Sequence, residues 1–429
     1  MRAFILRGEG AVSQVLDVAR RALDSPELSP QGRLVTELVR SSALCAQGNF
    51  SEARNANRNA ARIARETGDS GSEALAVYAH ARIELGKGAL RHAEQLLRTG
   101  LDMAMNESAR SARVGEVRLQ LHLVMVLWHQ GREAEADRLL VGCIRHAEQT
   151  RDLALLLAFG LRVLICRTHG RFDEAFTWLG QAERTMQAWK VDETVYVPVL
   201  EALKSSSWLA SGQVEAASQA LVRLGPWRAE HCVPDMFPMM PGLLDCLQAR
   251  LELANNNADG AARTLRAIRD RHDEMVPFGL ELHARLLESV IAWRQKGLAA
   301  GQTVLIGAIG MAAEEHYISP FAELRRELQP LVERAWSHLP ASRLVDDIGR
   351  LYGIDRVSSP GVAVLAEPIS ERELGVLELI AKGFSNQDIG DRLHISLHTV
   401  KTHARMINAK LEVKSRTQAT VRARELGLL

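Results

Sequence analysis

The chain has 429 residues, and its 53 Lys and Arg stand against 52 Asp and Glu for a formal net charge of +1, so no uniformly basic or acidic surface defines it, and the length allows two or three domains. Five cysteines without a Cys-x-x-Cys pair exclude a disulfide framework and a thiolate zinc site. The opening Met-Arg-Ala-Phe-Ile-Leu-Arg-Gly is too short an apolar run for a signal peptide, and no apolar run is long enough to span a membrane. Reducing cytoplasm is therefore the expected compartment, with no membrane partner. Aromatic residues are only 5% of the chain, while Ala, Leu, Arg and Glu dominate. That mixture predicts an all-α protein built by helix packing.

A repeat organises residues 10 to about 335. A Gly, once replaced by Asn, precedes an Ala by five positions: Gly48 and Ala53, Gly88 and Ala93, Gly131 and Ala136, Gly170 and Ala175, Gly212 and Ala217, Asn256 and Ala261. A weaker seventh instance at Gly297 has Gln302 in place of Ala. Successive gaps of 40, 43, 39, 42, 44 and 41 residues predict stacked helical hairpins. The Gly closes a first helix in a left-handed cap. An apolar plug follows (Phe50, Leu90, Phe172 or Val214), and Ser51 or Asp173 is placed to cap the second helix. The Ala lets the paired helices approach. Such a hairpin cannot bury its own apolar face, so neighbours stack into a superhelix.

These repeats resemble the tetratricopeptide-like superhelix of MalT-like regulators. The resemblance implies a sensor domain over residues 1–337 whose concave surface takes a small-molecule or protein effector. Regulators of that kind carry an N-terminal nucleotide-binding domain, but no Gly-x-x-x-x-Gly-Lys-Ser/Thr phosphate loop occurs in this sequence. No cofactor, metal or catalytic constellation is expected, and the chain does not read as an enzyme.

Three prolines within His231–Gly242 forbid a continuous helix there. The segment's Met and Phe residues predict either a loop packed on the superhelix edge or a cover for a ligand pocket. Residues 338–368 read as one more helix, marked by Leu344, Ile348 and Leu351. A flexible tether carrying Ser358-Ser-Pro-Gly361 and Pro368 follows it.

Residues 369–429 differ from all that precedes them. Ten basic and seven acidic residues give this end a local excess, and from Arg392 to Arg424 eight cations face only Glu412. Ser370 with Glu373, Ser385 with Asp388, and Ser396 predict helix starts, and Gly383 predicts a stop. The expected helices span about 370–382, 385–393, 396–411 and 415–427. Leu374, Leu377, Ile380 and Ala381, then Ile389 and Leu393, then Val400, Ile407 and Leu411 form apolar stripes that can bury one small core. The short link from Leu393 to Ser396 sets the second and third helices at a steep angle, as in a helix-turn-helix. The third helix then presents Lys401, Thr402, Arg405 and Asn408 outward, and long cations there can reach guanine in the major groove.

This segment resembles the LuxR-type helix-turn-helix through Ser-Glu-Arg-Glu (370–373), Gly-Phe-Ser-Asn-Gln-Asp-Ile (383–389), Thr-Val-Lys-Thr-His (399–403), Lys-Leu (410–411) and Ser-Arg-Thr-Gln-Ala (415–419). It departs from the family pattern at Gly390, usually Ala, and at Gly375 inside the first helix. The resemblance implies that Lys401, Thr402 and Arg405 read bases. Ser396, Thr399, His403, Lys410, Lys414 and Arg416 are expected at the DNA backbone. Ala419, Val421, Ala423 and Leu426 on the fourth helix are expected to supply a dimer surface. The chain as a whole then reads as a bacterial transcription regulator binding double-stranded promoter DNA as a homodimer. The resemblance favours an activator, which would also engage RNA polymerase. An adaptor that docks proteins and only anchors non-specifically on DNA is the alternative.

Overall fold

The computed structural model describes residues 12–105, 110–225, 240–270, 275–354, 371–393, 395–411, 413 and 415–425. Its described residues form helices and no strands, in two compact units, Met1–Ile354 and Asp355–Leu429.

The first unit opens with α1 (Val12–Leu23) and continues as seven hairpins. These are α2 (Pro30–Gln47) with α3 (Phe50–Thr67), α4 (Ser70–Gly86) with α5 (Leu90–Met105), and α6 (Arg110–His129) with α7 (Glu133–Thr150). Next come α8 (Leu155–Thr168) with α9 (Phe172–Ala188), α10 (Glu193–Ser211) with α11 (Val214–Arg223), α12 (Met240–Ala254) with α13 (Ala258–Asp270), and α14 (Phe278–Lys296) with α15 (Leu298–Ala313). Every turn residue singled out by the repeat has a positive φ, from Gly48 at 84° to Asn256 at 58° and Gly297 at 93°. The six alanines are fully buried at 0% exposure, which is what close approach of paired helices requires. The segment carrying the three prolines lies outside the described residues up to Met240.

Three local expectations are corrected. The second helix of the first hairpin is capped by Asn49, whose side chain accepts from the Glu52 N–H at 3.1 Å, and Ser51 lies inside the helix. Asp173 sits in the first turn of α9, whose N-cap is Arg171. In the seventh hairpin the small residue is Gly301, not Gln302. Because α15 starts directly after Gly297, this connection is one residue shorter and the close-approach position moves with it. A Cβ on Gly301 would lie 2.5 Å from the Trp293 Cβ and 2.9 Å from the Ser289 carbonyl.

The hairpins form two layers. Midway along the unit the first helix of a hairpin is buried round most of its circumference: α8 buries eleven of its 14 residues, whereas α9 buries four of 17; in the first hairpin α2 and α3 bury six and seven of 18. The reason lies in the chain after the seventh hairpin. Helices α16 (Ser319–Glu323) and α17 (Arg325–Ala335) cross the inner layer. Phe321, Leu324, Leu328, Leu331 and Val332 on this segment are all at most 1% exposed. The Ile318 N–H donates to the His129 carbonyl at 2.8 Å, and Ser319 Oγ meets His129 Nδ1 at 2.6 Å. The solenoid also turns back on itself, since a Cβ on Gly88 of the second hairpin would lie 2.3 Å from Phe278 of the seventh. The inner surface expected to be open to an effector is therefore filled, along this stretch, by the chain's own residues.

Buried charge pins the crossing. Arg167 of α8 bonds Glu323 at 3.2 Å, Arg250 of α12 bonds Glu327 at 2.6 Å, and Ser206 of α10 accepts from both arginines at 2.7 and 3.1 Å. Burial alone would raise the Glu323 pKa. His283, Arg167 and His129 reverse that and pull it down to about 2, so the carboxylate stays charged inside the unit. A three-residue 3₁₀ turn and α18 (Arg343–Tyr352) complete the unit. Leu344, Val345, Ile348 and Tyr352 are buried, and the Tyr352 hydroxyl donates to the Phe321 carbonyl at 2.9 Å. This last helix thus belongs to the superhelical unit rather than to a linker beginning at residue 338. The tether from residue 355 to 370 lies outside the described residues.

Candidate nucleic-acid interface

The second unit contains α19 (Glu371–Ala381), α20 (Asn386–Leu393), α21 (Leu397–Lys410) and α22 (Arg416–Glu425). Its core is Val376, Leu377 and Ile380 of α19, Ile389 of α20, Val400, Ile407 and Leu411 around α21, and Ala419 and Ala423 of α22. Three stripes therefore close one small core. Val376 joins it, Leu374 is half-buried, and Leu393 is 37% exposed instead of buried. Leu393 is the last residue of α20, past the contact that Ile389 makes.

Local chemistry sets the angles between the helices. Gly383 ends α19 at φ 86°. Ser385 and Asp388 cap α20 reciprocally: the Ser385 N–H donates to the Asp388 carboxylate at 3.1 Å, and the Asp388 N–H donates back to the Ser385 hydroxyl at 3.3 Å. The Ser385 hydroxyl, which also donates to the Asp388 carboxylate at 2.6 Å, and the Ser385 N–H hold the Asp388 pKa below its usual value. The Ile395 N–H donates to the Gly390 carbonyl at 3.0 Å, drawing the turn across α20. A Cβ on Gly390 would lie only 2.9 Å from the Ile395 carbonyl, so this turn leaves no room for a side chain at residue 390. Ser396 then starts α21, accepting from the Thr399 N–H at 3.1 Å.

With Val400 and Ile407 held in the core, Leu397, His398, Lys401, Thr402, Arg405 and Met406 form the exposed face of α21. Lys401 and Arg405, one turn apart, have no hydrogen bond or ion pair among the described residues. Thr402 donates to the His398 carbonyl at 3.0 Å, which leaves its oxygen able to accept. Ser396 and Thr399 sit at the helix start with their hydroxyls 2.8 Å apart, beside backbone N–H groups that favour an anion. Asn408 is half-buried. His403 is half-buried too, and its Nδ1 is buried with no hydrogen-bond partner among the described residues.

The remaining expected residues fall elsewhere. Lys410 turns inward. Its amine meets the Glu373 carboxylate at 2.9 Å, and the two side chains are 10% and 2% exposed. It therefore neutralises a buried acid instead of reaching a phosphate, since a carboxylate that deep needs a partner. Arg416 is exposed, but its guanidinium donates to the Phe384 carbonyl at 2.8 Å, tying α22 to the turn after α19. Ala419 and Ala423 are 1% and 0% exposed. They face the unit's own core, so they offer no surface to a second copy. Gln418 is exposed and Thr420 half-buried on the same helix. Lys414 and Leu426 lie outside the described residues, as does the side chain of Val421. Arg392 was not anticipated. It stacks 4.1 Å from the Phe384 ring centroid and adds an exposed cation at the same turn. Its signal was an Arg eight residues after the aromatic of the Gly-Phe-Ser turn, one helix length away.

Comparison with known proteins follows this division. The family model described as the MalT-like TPR region matches residues 1–337, and the model described as bacterial regulatory proteins, luxR family, matches residues 367–423. Among curated proteins, the chain is 41% identical over 100 residues to the response regulator protein VraR of Staphylococcus epidermidis, which covers 21% of this chain and 48% of that protein. VraR of Staphylococcus aureus and of Staphylococcus saprophyticus are each 51% identical over 67 residues, 16% of this chain and 32% of theirs. The chain thus spans less than half the length of these relatives.

Proposed function

The chain belongs to the family of the MalT-like TPR region and carries a luxR-family helix-turn-helix, and from that premise we propose that it regulates transcription by sequence-specific binding to promoter DNA. The observation that carries this is the face of α21. Two cations that have no partner among the described residues, Lys401 and Arg405, flank Thr402 on a helix whose opposite side is locked into a core. A guanidinium there can bond guanine O6 and N7 in two places at once. Ser396 and Thr399 supply the phosphate contacts that set register. The superhelix receives the signal, a small molecule or a protein. The DNA-bound form is a dimer and acts as an activator through RNA polymerase. Signal binding shifts a population in which α21 is withheld toward one in which it is free.

Selection of binding sites from random DNA, followed by binding titrations with the full chain, tests the central claim. Arg405→Ala should flatten base preference at one or two positions and weaken the preferred site by about 1–3 kcal/mol. Equal weakening on all sequences, removed by added salt, would instead leave a protein adaptor with a sequence-blind anchor.

A further inference from the structure

A pocket of about 410 Å³ opens where the third hairpin's turn, the crossing segment and α18 meet. Its size lies in the range of small-molecule sites. Trp128, Ile318, Ala322 and Leu351 give it apolar walls. The charges around it are nearly all spoken for. Arg132 bonds Glu94 at 2.7 Å and Glu135 at 2.6 Å, and Glu133 pairs with His169. Asp347 pairs with Arg350, and His316 Nε2 lies 2.8 Å from the same carboxylate. Burial, and then the charges of Arg343 and Arg350, lower the His316 pKa, so this ring brings no further cation at neutral pH. Arg343 is left over: it is exposed, lines the pocket, and has no ion pair or hydrogen bond among the described residues.

We propose that this pocket binds a small organic carboxylate with an apolar body, its charge held by Arg343 and its body against Trp128, Ile318 and Ala322. A guanidinium matches a carboxylate with two parallel N–H bonds, and a partly enclosed site strengthens them. The location gives the site a use. Arg343 opens α18, the last described helix before the DNA-binding unit, whereas Trp128 and Ile318 belong to the superhelix and its crossing segment. An anion bridging them stabilises the docked position of α18 by mass action. The assignment rests on the reading that the superhelix receives the signal, and it names the site and the ligand's chemistry.

The test uses the full chain, with hexanoate as the probe and hexanamide as its neutral counterpart. Calorimetry and thermal unfolding follow binding, and affinity for selected DNA is measured in parallel. Hexanoate should bind saturably and raise the unfolding temperature. Hexanamide should bind about 10–100-fold more weakly, and Arg343→Gln should reduce hexanoate affinity by a similar factor. Ala322→Phe, which fills the pocket floor, should abolish binding. Equal binding of the two probes overturns the proposal. So does hexanoate binding that survives both substitutions, or no saturable binding up to about 10 mM. Hexanoate that binds through Arg343 without changing DNA affinity upholds the site and refutes only the signal-receiving role.

Discussion

Lys410 separates a DNA-contacting role from a structural one. In the folded unit its amine lies 2.9 Å from Glu373, with side-chain exposures of 10% and 2%. Replacing Lys410 by Met keeps the stem's packing but takes the cation away from a carboxylate that is 2% exposed. Breaking a buried pair from one side costs about 3–5 kcal/mol. A unit of this size has a total stability of only about 3–9 kcal/mol, so Lys410→Met should unfold much of it at 37 °C. Adding Glu373→Leu removes that buried charge and should restore stability to within about 1 kcal/mol, or raise it. The seven tryptophans all lie at or before Trp336. Tryptophan fluorescence in a urea titration therefore follows the superhelix alone, while far-ultraviolet ellipticity follows both units. The expected result is a lost or early ellipticity transition in Lys410→Met, an unchanged fluorescence transition, and recovery in the double variant. A stably folded Lys410→Met that loses about one unit from the slope of log affinity against log salt would refute the argument, because that loss marks a phosphate contact.

Three further outcomes follow from the same reasoning. Gly375 lies inside α19, and a Cβ there would meet nothing within 4 Å; Gly375→Ala should stabilise the second unit by up to about 1 kcal/mol in denaturant titration. Phe321 is 0% exposed at the crossing. Phe321→Ala should cost the superhelix about 3–5 kcal/mol and shift its fluorescence midpoint, and an unshifted midpoint would show a loosely docked lid instead. His122 and His129 are held by burial at pKa values of about 3, against an ordinary 6.5. Their folded pKa values are depressed, so the unfolded chain takes up protons that the folded one refuses. Their contribution to stability is complete above pH 6.5 and is lost as pH falls toward 3, at up to about 1.4 kcal/mol per pH unit for each histidine. Glu323, depressed from 4.5 to about 2, extends the loss below pH 4.5. In pH-dependent unfolding, His122→Gln should reduce the slope between pH 6.5 and 3 by about one proton.

Local chemistry determined much of this protein. A left-handed turn residue followed by a small residue at constant spacing is a demand of the backbone and of one helix pair, so the hairpins could be counted from residues a few positions apart. The same holds for the starts of α20 and α21, where Ser385, Asp388 and Ser396 satisfy N–H groups within their own first turns. The outward placement of Lys401 and Arg405 follows from Val400 and Ile407 by helical period alone. Tertiary structure decided what depends on partners far along the chain. Glu373 resembles a capping residue in sequence, and only the packing of α19 on α21, 37 residues later, makes it the counter-ion of Lys410. Ala419 and Ala423 are small enough for a dimer face or a tight core, and the close approach of α22 selects the core. Residues 318–335 carry no repeat signature, yet their burial fills the inner surface that the repeats alone would leave open. Helical period records which side of a helix is apolar. It does not record whether a distant segment, a second copy or solvent lies against it.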